Sequence, residues 1–433
     1  MTISVKATVA CNLNCKYCYE KEFRKTGKLQ SWDIKKIKKA MKKEYERTGK
    51  TISLHGGEPL VLPKKDLEEL FAYAKKLGGS TGLQTNGLAI DDDHIEMFKK
   101  YDVHVGISFD GPGELNRLRS TKKQTDIIEK NFYKLVANDI NPGNIIVLSK
   151  ANGLPKQRAA LKDWIKELRS LGVNGGRLNL VKVDDPELRP EIELTEEEAI
   201  DLYTDLADFI LVEEDNLRGW QPFRDVIDNM LGLGMGTCIF TKCDNYRGVA
   251  ERVINGDGTL SYCFKTGTKD FVYLREPDKK PTTERYDMLG QVPQEHGGCK
   301  DCKYWRICYG GCPSEGMEDG EADWRYSGRY CNVWKALYEK AEKAIKRLMP
   351  NVELVIDKNV DDEEKFYQAR RSNRMEPSAL RLLTKNDAVN PSASSSSVRT
   401  RRSNKCKNNK NDKKSRVVKD TNHGDHMDHG DSH

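Results

Sequence analysis

The sequence lacks the long apolar runs that membrane proteins need. No stretch of 18 or more apolar residues occurs in its 433 positions, so we expect no membrane-spanning helix. It also lacks the pattern of a signal peptide, because the first residues run directly into the strand-like segment Val5–Ala10. These absences predict a cytoplasmic protein with no membrane partner.

Signals for nucleic-acid binding are missing as well. The net charge is +6, but the positive charge is concentrated beyond residue 365 and in Lys-rich helical segments such as Lys35–Lys43. We find no RNA-binding motif and no basic patch with interleaved aromatic residues, so this charge indicates solvated surfaces. We expect no nucleic-acid partner.

Cysteine, in contrast, is abundant. The chain has 12 cysteines, and disulfides are rare in the cytoplasm, so we expect metal ligands rather than disulfides. The hydrophobic content of 37% and the charged content of 32% are typical of a soluble globular protein. The length is sufficient for one large α/β domain and a smaller one.

Residues 1–215 alternate β-branched runs with segments of helical periodicity. The predicted strands are Val5–Ala10, Thr51–Leu54, Thr81–Gln84, His104–Ser108, Ile145–Leu148 and Arg177–Val181. The predicted helices between them are Trp32–Glu46, Leu67–Lys76, Asp92–Lys100, Ile127–Val136 and Lys156–Leu171. Such repeats favour a parallel sheet with right-handed crossovers, and six strands are too few for the eight-strand barrel. We therefore predict an α/β fold built on a partial (β/α)6 barrel, with the chemistry at its C-terminal strand ends.

The rest of the chain divides by composition. Residues 196–231 have helical periodicity, and residues 216–349 form a cysteine-rich domain with little regular structure before a helix at Val333–Leu348. Residues 350–419 form a basic and Ser-rich linker that has too few apolar groups to pack, so we predict that it is disordered. A His/Asp-rich segment, residues 420–433, ends the sequence.

The most informative motif is Cys11, Cys15 and Cys18, which share one loop after the first predicted strand. Three thiolates can bind three irons of a cubic 4Fe–4S cluster and leave the fourth iron open to a small molecule. A zinc site or buried structural cysteines are the alternatives, although zinc knuckles more often use CX2C pairs. The CX3CX2C spacing resembles the signature of the radical SAM superfamily, whose members bind S-adenosylmethionine (SAM) at the open corner.

This resemblance implies a cofactor and a reaction. The cluster would pass one electron to SAM and release a 5′-deoxyadenosyl radical, which abstracts hydrogen from unactivated carbon. A flavodoxin- or ferredoxin-type protein would supply the electron. A protein that holds zinc and has no catalytic activity is the alternative from another class.

Further motifs match the same superfamily at later strand ends. His55-Gly56-Gly57-Glu58-Pro59 follows the second predicted strand and resembles the GGEP motif that binds the amino group of SAM. Glycines there let the backbone approach a ligand, and Glu58 can accept from an ammonium group. The resemblance places Tyr17 beside the adenine and Ser108 and Arg119 near the ribose and carboxylate of SAM, although Asn-Gly and Asp-Gly motifs at these ends are also common turns.

A second set of cysteines resembles the SPASM domain, an auxiliary-cluster module of the superfamily. Eight thiolates can complete two 4Fe–4S clusters with no open corner, and two zinc sites are the alternative. By resemblance to anaerobic sulfatase-maturating enzymes, the first auxiliary cluster would be held by Cys238, Cys243, Cys263 and Cys312. The second would be held by Cys299, Cys302, Cys308 and Cys331. The total is three 4Fe–4S clusters.

SPASM enzymes mostly modify peptides and proteins, so the resemblance implies a maturase with a peptide substrate. In sulfatase maturases, an Asp directly after the third cysteine of this region serves as the catalytic base. This chain has Phe264 at that position, after Cys263. Formylglycine formation is therefore not expected. Many peptide maturases also carry a leader-binding domain before the barrel, and with a cluster loop that starts at Cys11 we expect none there.

The C-terminal segment contains three consecutive His-X-Asp triplets. Their members are His423, Asp425, His426, Asp428, His429 and Asp431. Some SPASM maturases join an aromatic ring to the β-carbon of a residue two positions on, forming a cyclophane. The resemblance implies that the chain carries its own substrate, on a linker that as a coil of about 70 residues would span about 45 Å. The alternatives are a separate peptide substrate, with a thioether or another link, and a tail that only binds divalent metals.

Overall fold

A nine-stranded sheet forms the centre of the molecule. We describe a computed structural model for residues 3–173, 175–183, 185–213, 219–233, 252–261, 263–264, 299, 302–308, 310–312, 315, 328 and 330–357. The strands are β1 (Ile3–Lys6), β2 (Ile52–His55), β3 (Thr81–Thr85), β4 (Val103–Ser108), β5 (Gly143–Leu148), β6 (Gly175–Leu180), β7 (Gly219–Gln221), β8 (Arg252–Asn255) and β9 (Leu260–Ser261). Their spatial order is β7-β6-β5-β4-β3-β2-β1-β8-β9. All neighbours are parallel except β8 and β9.

Helices lie in the crossovers between the parallel strands, and the last two follow β9. They are α1 (Lys21–Lys25), α2 (Ile34–Thr48), α3 (Lys64–Gly78), α4 (Asp92–Tyr101), α5 (Lys122–Ala137), α6 (Pro155–Ser170), α7 (Arg189–Ile192), α8 (Glu196–Asp208), α9 (Phe223–Met230), α10 (Trp305–Cys308) and α11 (Cys331–Leu348). Several begin at side-chain caps: Thr121 starts α5 and Thr195 starts α8, each with a reciprocal bond to the residue three positions on. Such caps satisfy backbone N–H groups that the helix leaves unpaired.

The two faces of the sheet differ in chemistry. Alternate strand residues such as Ile3, Val5 and Leu54 are buried in the core that the helices cover. Because strand side chains alternate between faces, Lys6 and His55 belong to the opposite, concave face. The sheet therefore separates an apolar core from a polar interior surface.

The six predicted strands are β1 to β6, with ends that shift by a few residues, and the predicted helices between them are α2 to α6. The sheet nevertheless has three strands more than predicted. Strand β7 lies inside the segment 196–231. The prediction of helix for this segment was therefore wrong at residues 219–221. Strands β8 and β9 lie inside residues 216–349, so the sheet crosses the predicted boundary at residue 215. The domain limits themselves remain a prediction.

The helix predicted at Val333–Leu348 is α11, and it packs on α8. The rings of Tyr203 and Trp334 lie 5.6 Å apart, and Lys340 Nζ contacts Asp208 at 2.5 Å. Helix α11 thus joins the segment after the cysteine-rich region to the barrel helices.

Regular structure continues beyond α11, further along the chain than predicted. A short 3-10 turn at Val355–Asp357 follows, with Leu354 and Val355 buried. Disorder from residue 350 onward was therefore wrong for residues 350–357, because these two apolar side chains find room beside α9 and α10. The remaining linker and the His-X-Asp segment lie outside the described residues. Among the described helices, none is long and apolar enough to cross a bilayer.

Candidate functional site

The loop that carries Cys11, Cys15 and Cys18 is fixed by backbone hydrogen bonds to two other loops. The Glu58 N–H donates to the Ala10 carbonyl at 2.8 Å, and the Lys16 N–H donates to the Leu118 carbonyl at 2.8 Å. The loop follows β1 directly. It therefore lies at the C-terminal strand ends, as predicted for the chemistry of a barrel.

Hydrogen-bond donors lie beside two of the three thiols. The Leu13 N–H donates to Cys11 Sγ at 3.4 Å, and Arg24 Nη1 donates to Cys18 Sγ at 3.5 Å. The side-chain amide of Asn86, after β3, lies 3.8 Å from Cys11 Sγ. Burial raises the pKa of Cys15 to about 12, against the opposing effect of Arg119. Burial therefore disfavours the Cys15 thiolate unless a cation is bound, and the donors beside Cys11 and Cys18 are placed to stabilise sulfur that carries negative charge.

Gly56 and Gly57 bring the second strand end against the cluster loop. A Cβ atom on Gly57 would lie 2.2 Å from the Ala10 carbonyl oxygen and 2.4 Å from that of Val9, and Gly56 has a φ of +127°. Only glycine fits this close approach of two backbones. The space that these glycines leave is filled by the chain itself, so their first role is to join the two loops.

Glu58 is buried within the same junction. Its carboxylate accepts from the Leu60 N–H at 3.0 Å, from Thr85 Oγ1 at 2.6 Å and from the Asn86 N–H at 2.7 Å. Burial raises the pKa of Glu58, and these three hydrogen bonds oppose the rise. Pro59 follows in a 3-10 turn. The carboxylate thus ties the end of β2 to the end of β3 beside Cys11.

Tyr17 and Arg119 share a partner that sequence analysis missed. Arg119 Nη2 donates to Asp110 Oδ1 at 2.8 Å, and the Tyr17 hydroxyl donates to Asp110 Oδ2. The Arg119 guanidinium also lies 5.5 Å from the centre of the Tyr17 ring. The direct SAM contact predicted for Arg119 remains untested, but within the protein it already holds Asp110. The Asp-Gly pair after β4 was visible in the sequence, yet it reads equally well as a turn.

Ser108, the remaining predicted residue, lies at the end of β4. Its hydroxyl accepts from Gln84 Nε2 at 2.9 Å, which joins the ends of β3 and β4 on the concave face. The structure therefore brings every predicted SAM-motif residue to one edge of the sheet.

Four later cysteines line one cavity: Cys299, Cys302, Cys308 and Cys331. Burial raises the pKa of Cys308 to about 12, and the other three cysteines add to the rise. Among the described residues no three His, Cys, Asp or Glu side chains converge as ligands of one metal ion. A 4Fe–4S cluster makes a different demand, because each thiolate binds its own iron. The four donors are thus soft thiols around one space, which fits a cluster.

The first auxiliary set can be followed only in part. Cys263 and Cys312 are partly exposed, while Cys238 and Cys243 lie outside the described residues. Phe264, next to Cys263, stacks on His55 with ring centres 4.4 Å apart. The segment after β9 therefore reaches the concave face at the end of β2.

Residues 5–157 match the model of the Radical SAM superfamily. The chain thus contains a radical SAM domain and is an enzyme, and this domain implies the use of SAM and a 4Fe–4S cluster. It is 23% identical over 369 residues to a cysteine-type anaerobic sulfatase-maturating enzyme of Clostridium perfringens (strain 13 / Type A), which covers 77% of this chain and 94% of the relative. It is 26% identical over 364 residues to an uncharacterized protein of Archaeoglobus fulgidus, with 80% and 82% covered.

Solved structures show the same fold. Native anSMEcpe with bound AdoMet and the Cp18Cys peptide superposes with a TM-score of 0.65 at 19% identity, covering 81% of this chain and 99% of that one. Streptococcus suis SuiB bound to precursor peptide SuiA gives a TM-score of 0.54 at 15% identity, covering 76% and 75%. The predicted α/β fold class and the predicted resemblance are confirmed.

Proposed function

We propose that this chain is a radical SAM maturase that installs a cross-link in a ribosomally made peptide. The observation that carries the proposal is the cluster loop: three thiols on one loop, packed against Gly57 and Glu58 and facing hydrogen-bond donors. Similarity to a sulfatase-maturating enzyme and to two structures with bound peptides supports a peptide or protein substrate.

In this proposal the residues at the C-terminal strand ends have separate roles. Cys11, Cys15 and Cys18 hold the cluster, and the turn at Gly56, Gly57, Glu58 and Pro59 meets the amino-acid end of SAM, with Ser108 on the neighbouring strand. The Tyr17 ring packs near the adenine, and Arg119 fixes that ring through Asp110. When bound and reduced by a flavodoxin- or ferredoxin-type donor, SAM and the cluster supply a 5′-deoxyadenosyl radical.

We assign two further 4Fe–4S clusters to the cysteine-rich region. The ligands of the first would be Cys238, Cys243, Cys263 and Cys312. Those of the second would be the four cysteines of the shared cavity, Cys299, Cys302, Cys308 and Cys331. The iron content of anaerobically reconstituted protein tests this: about twelve irons per chain are expected from three four-iron clusters, and stoichiometric zinc with little iron would contradict it.

For the substrate we propose the chain's own C-terminal triplets. The β-carbon of Asp425, Asp428 or Asp431 loses a hydrogen atom to the deoxyadenosyl group and forms a carbon–ring bond to the histidine two positions earlier. That imidazole (His423, His426 or His429) then loses one proton to solvent and one electron to an auxiliary cluster, which restores its aromaticity. Each link removes two hydrogens and changes nothing else in the composition. The triplet repeat is the observation that favours this substrate.

Phe264 argues against formylglycine as the product. It occupies the position after Cys263 and packs on His55 within 5.8 Å of Lys6 Nζ, so an apolar ring stands where a base would be needed. A cross-link formed by oxidation of an aromatic ring needs an electron acceptor, which an auxiliary cluster can be.

Tandem mass spectrometry of the C-terminal fragment tests the function. After anaerobic reaction with SAM and reductant, we expect a loss of two hydrogens per link, located at the triplets. Release of 5′-deoxyadenosine with an unchanged tail would leave the maturase assignment and defeat the tail as substrate, favouring a separate peptide. Absence of SAM cleavage in iron-loaded, reduced protein would defeat the enzyme assignment altogether.

A further inference from the structure

The described strands place basic groups, and no acidic ones, on the concave face of the sheet. None of the nine described strands contains an Asp or Glu. Lys6, His55 and Arg177 all lie on strands of this sheet, and Arg177 and Lys6 are close enough to His55 to lower its pKa. Three basic side chains thus share a surface whose described strands supply no carboxylate.

Arg177 is held in position, and no carboxylate of the described residues pairs with it. Its Nε donates to Gln221 Oε1 at 3.0 Å, and Gln221 is its register partner on β7. Its two terminal nitrogens have no hydrogen-bond partner among the residues that the structure describes. A guanidinium fixed at Nε keeps the pair of donors that matches a carboxylate.

His55 is a neutral donor on the same face. Its Nδ1 accepts from the Gly56 N–H at 2.8 Å, so the proton of the neutral ring resides on Nε2. Burial, then Arg177 and Lys6, lower the pKa of His55 to about 4, so it stays neutral near pH 7. In the described part of the chain Nε2 has no partner.

The carboxylates around this face are already committed. Glu58 accepts three hydrogen bonds, Asp110 is paired with Arg119, and Glu20 is paired with Lys6 at 3.2 Å. Of the three basic groups, Lys6 is therefore paired with a carboxylate, whereas Arg177 has no carboxylate partner among the described residues. An anion from outside the described chain would be the natural partner of Arg177.

One position on this face, Gly143 on β5, is open. The strand residues level with Gln84 on β4 and β5 are Gly106 and Gly143. The Gln84 side chain fills the space over Gly106, where a Cβ would lie 2.4 Å from Gln84 Oε1, whereas a Cβ on Gly143 would meet nothing within 4 Å. Arg177 is level with Ile145, two residues further along β5 toward the strand ends. Arg177 is thus two residues along the sheet from an open position on the same face.

We propose that Arg177 and His55 form a carboxylate-binding site that receives an acidic side chain of the substrate peptide. Arg177 would bind the carboxylate through its two terminal nitrogens, and His55 would donate from Nε2. The site rests on the proposed peptide function and deepens it, because it selects peptides with Asp or Glu near the modified carbon. It makes Arg177 a specificity-determining residue outside the cluster and SAM motifs.

The test compares two synthetic peptides on one protein. The protein is the full chain with Asp425, Asp428 and Asp431 changed to Asn, loaded with iron and SAM, so that its own tail does not compete. The probes are a peptide of residues 420–433 and the same peptide with its three triplet aspartates changed to Asn. We expect the Asp peptide to bind about tenfold tighter, as for a charge-assisted bidentate contact, and Arg177→Gln to remove that preference.

Matched variants keep the result interpretable. Arg177→Lys retains the positive charge but lacks the two parallel N–H donors of the guanidinium. It should therefore recover part of the preference for the Asp peptide. Arg224→Gln removes an equal charge from an exposed position on α9 and should leave the preference unchanged. His55→Gln should reduce the preference to a smaller extent.

Two outcomes would overturn the site. Equal affinity for both peptides in the parent protein excludes recognition of the carboxylate. Weaker SAM binding in Arg177→Gln, with the peptide preference intact, would show that the carboxylate of SAM occupies it instead. An Arg177-dependent preference without any cross-linking would defeat the proposed reaction and leave the site standing.

Discussion

Arg119 Nη2 lies 2.8 Å from Asp110 Oδ1, and both side chains are nearly inaccessible to solvent. The same carboxylate accepts from the Tyr17 hydroxyl and from the Val147 N–H at 2.8 Å. One aspartate after β4 therefore connects the cluster loop, the loop of Arg119 and strand β5. Because a buried charge pair is costly unless fully bonded, this arrangement is sensitive to any loss of a partner.

Asp110→Asn should strongly destabilise the protein. It would leave the Arg119 guanidinium buried without a counter-charge, which typically costs about 3–5 kcal/mol. Urea titration of the free energy of unfolding measures the effect. Asp126→Asn, at an exposed pair with Lys122, is the control and should cost at most about 0.5 kcal/mol. Equal losses in the two variants would contradict the importance of Asp110.

Lys6 and Glu20 form a second buried pair, with Lys6 Nζ also 5.5 Å from the centre of the Phe23 ring. Lys6→Met should cost about 3–5 kcal/mol, because Glu20 is left buried and unpaired. The double variant Lys6→Met/Glu20→Leu should recover at least half of that loss, since no charge remains to be solvated. Thermal or urea unfolding of both proteins checks this, and an additive loss in the double variant would contradict it.

The low pKa of His55 predicts a pH dependence of stability. Its folded-state value is about 4 against an ordinary value of 6.5, so the unfolded chain binds the proton first as the pH falls. The contribution is fully present above pH 6.5 and is lost as the pH falls toward 4, by at most about 3.4 kcal/mol. His55→Gln should flatten the stability curve between these limits, whereas Gln at the exposed His104 should leave its slope unchanged.

Replacing Cys11, Cys15 and Cys18 together with Ala should remove one cluster and all SAM cleavage. About eight of about twelve irons should remain, because the other ligands are separate. Iron analysis and chromatography of 5′-deoxyadenosine give the two readouts. Reductive cleavage of SAM by this variant would show that the cluster loop had been misassigned.

Local patterns predicted what local chemistry determines. The cysteine spacing, the run from His55 to Pro59 and the β/α periodicity each depend on neighbours in sequence, and the structure places these motifs together at the strand ends. Contacts between distant positions were not predictable: the Asn86 amide reaches Cys11 from another strand end, and Asp110 looks like an ordinary turn residue. Strand β7 has only three residues, one of them Gly219, so neither periodicity nor composition revealed it.

The pairing of β8 with β1 determines when the sheet can be completed during synthesis of the chain. Ile3 pairs with Arg252, so one edge of β1 waits for a partner synthesised about 250 residues later. At 5–20 residues per second, that delay is roughly 12–50 s. During this delay β1, the strand that leads into Cys11, has one unpaired edge. The loop of Cys11, Cys15 and Cys18 is thus synthesised before β8 exists. Iron delivered during translation would therefore reach a sheet that still lacks β8, whereas iron delivered afterwards would reach the complete sheet.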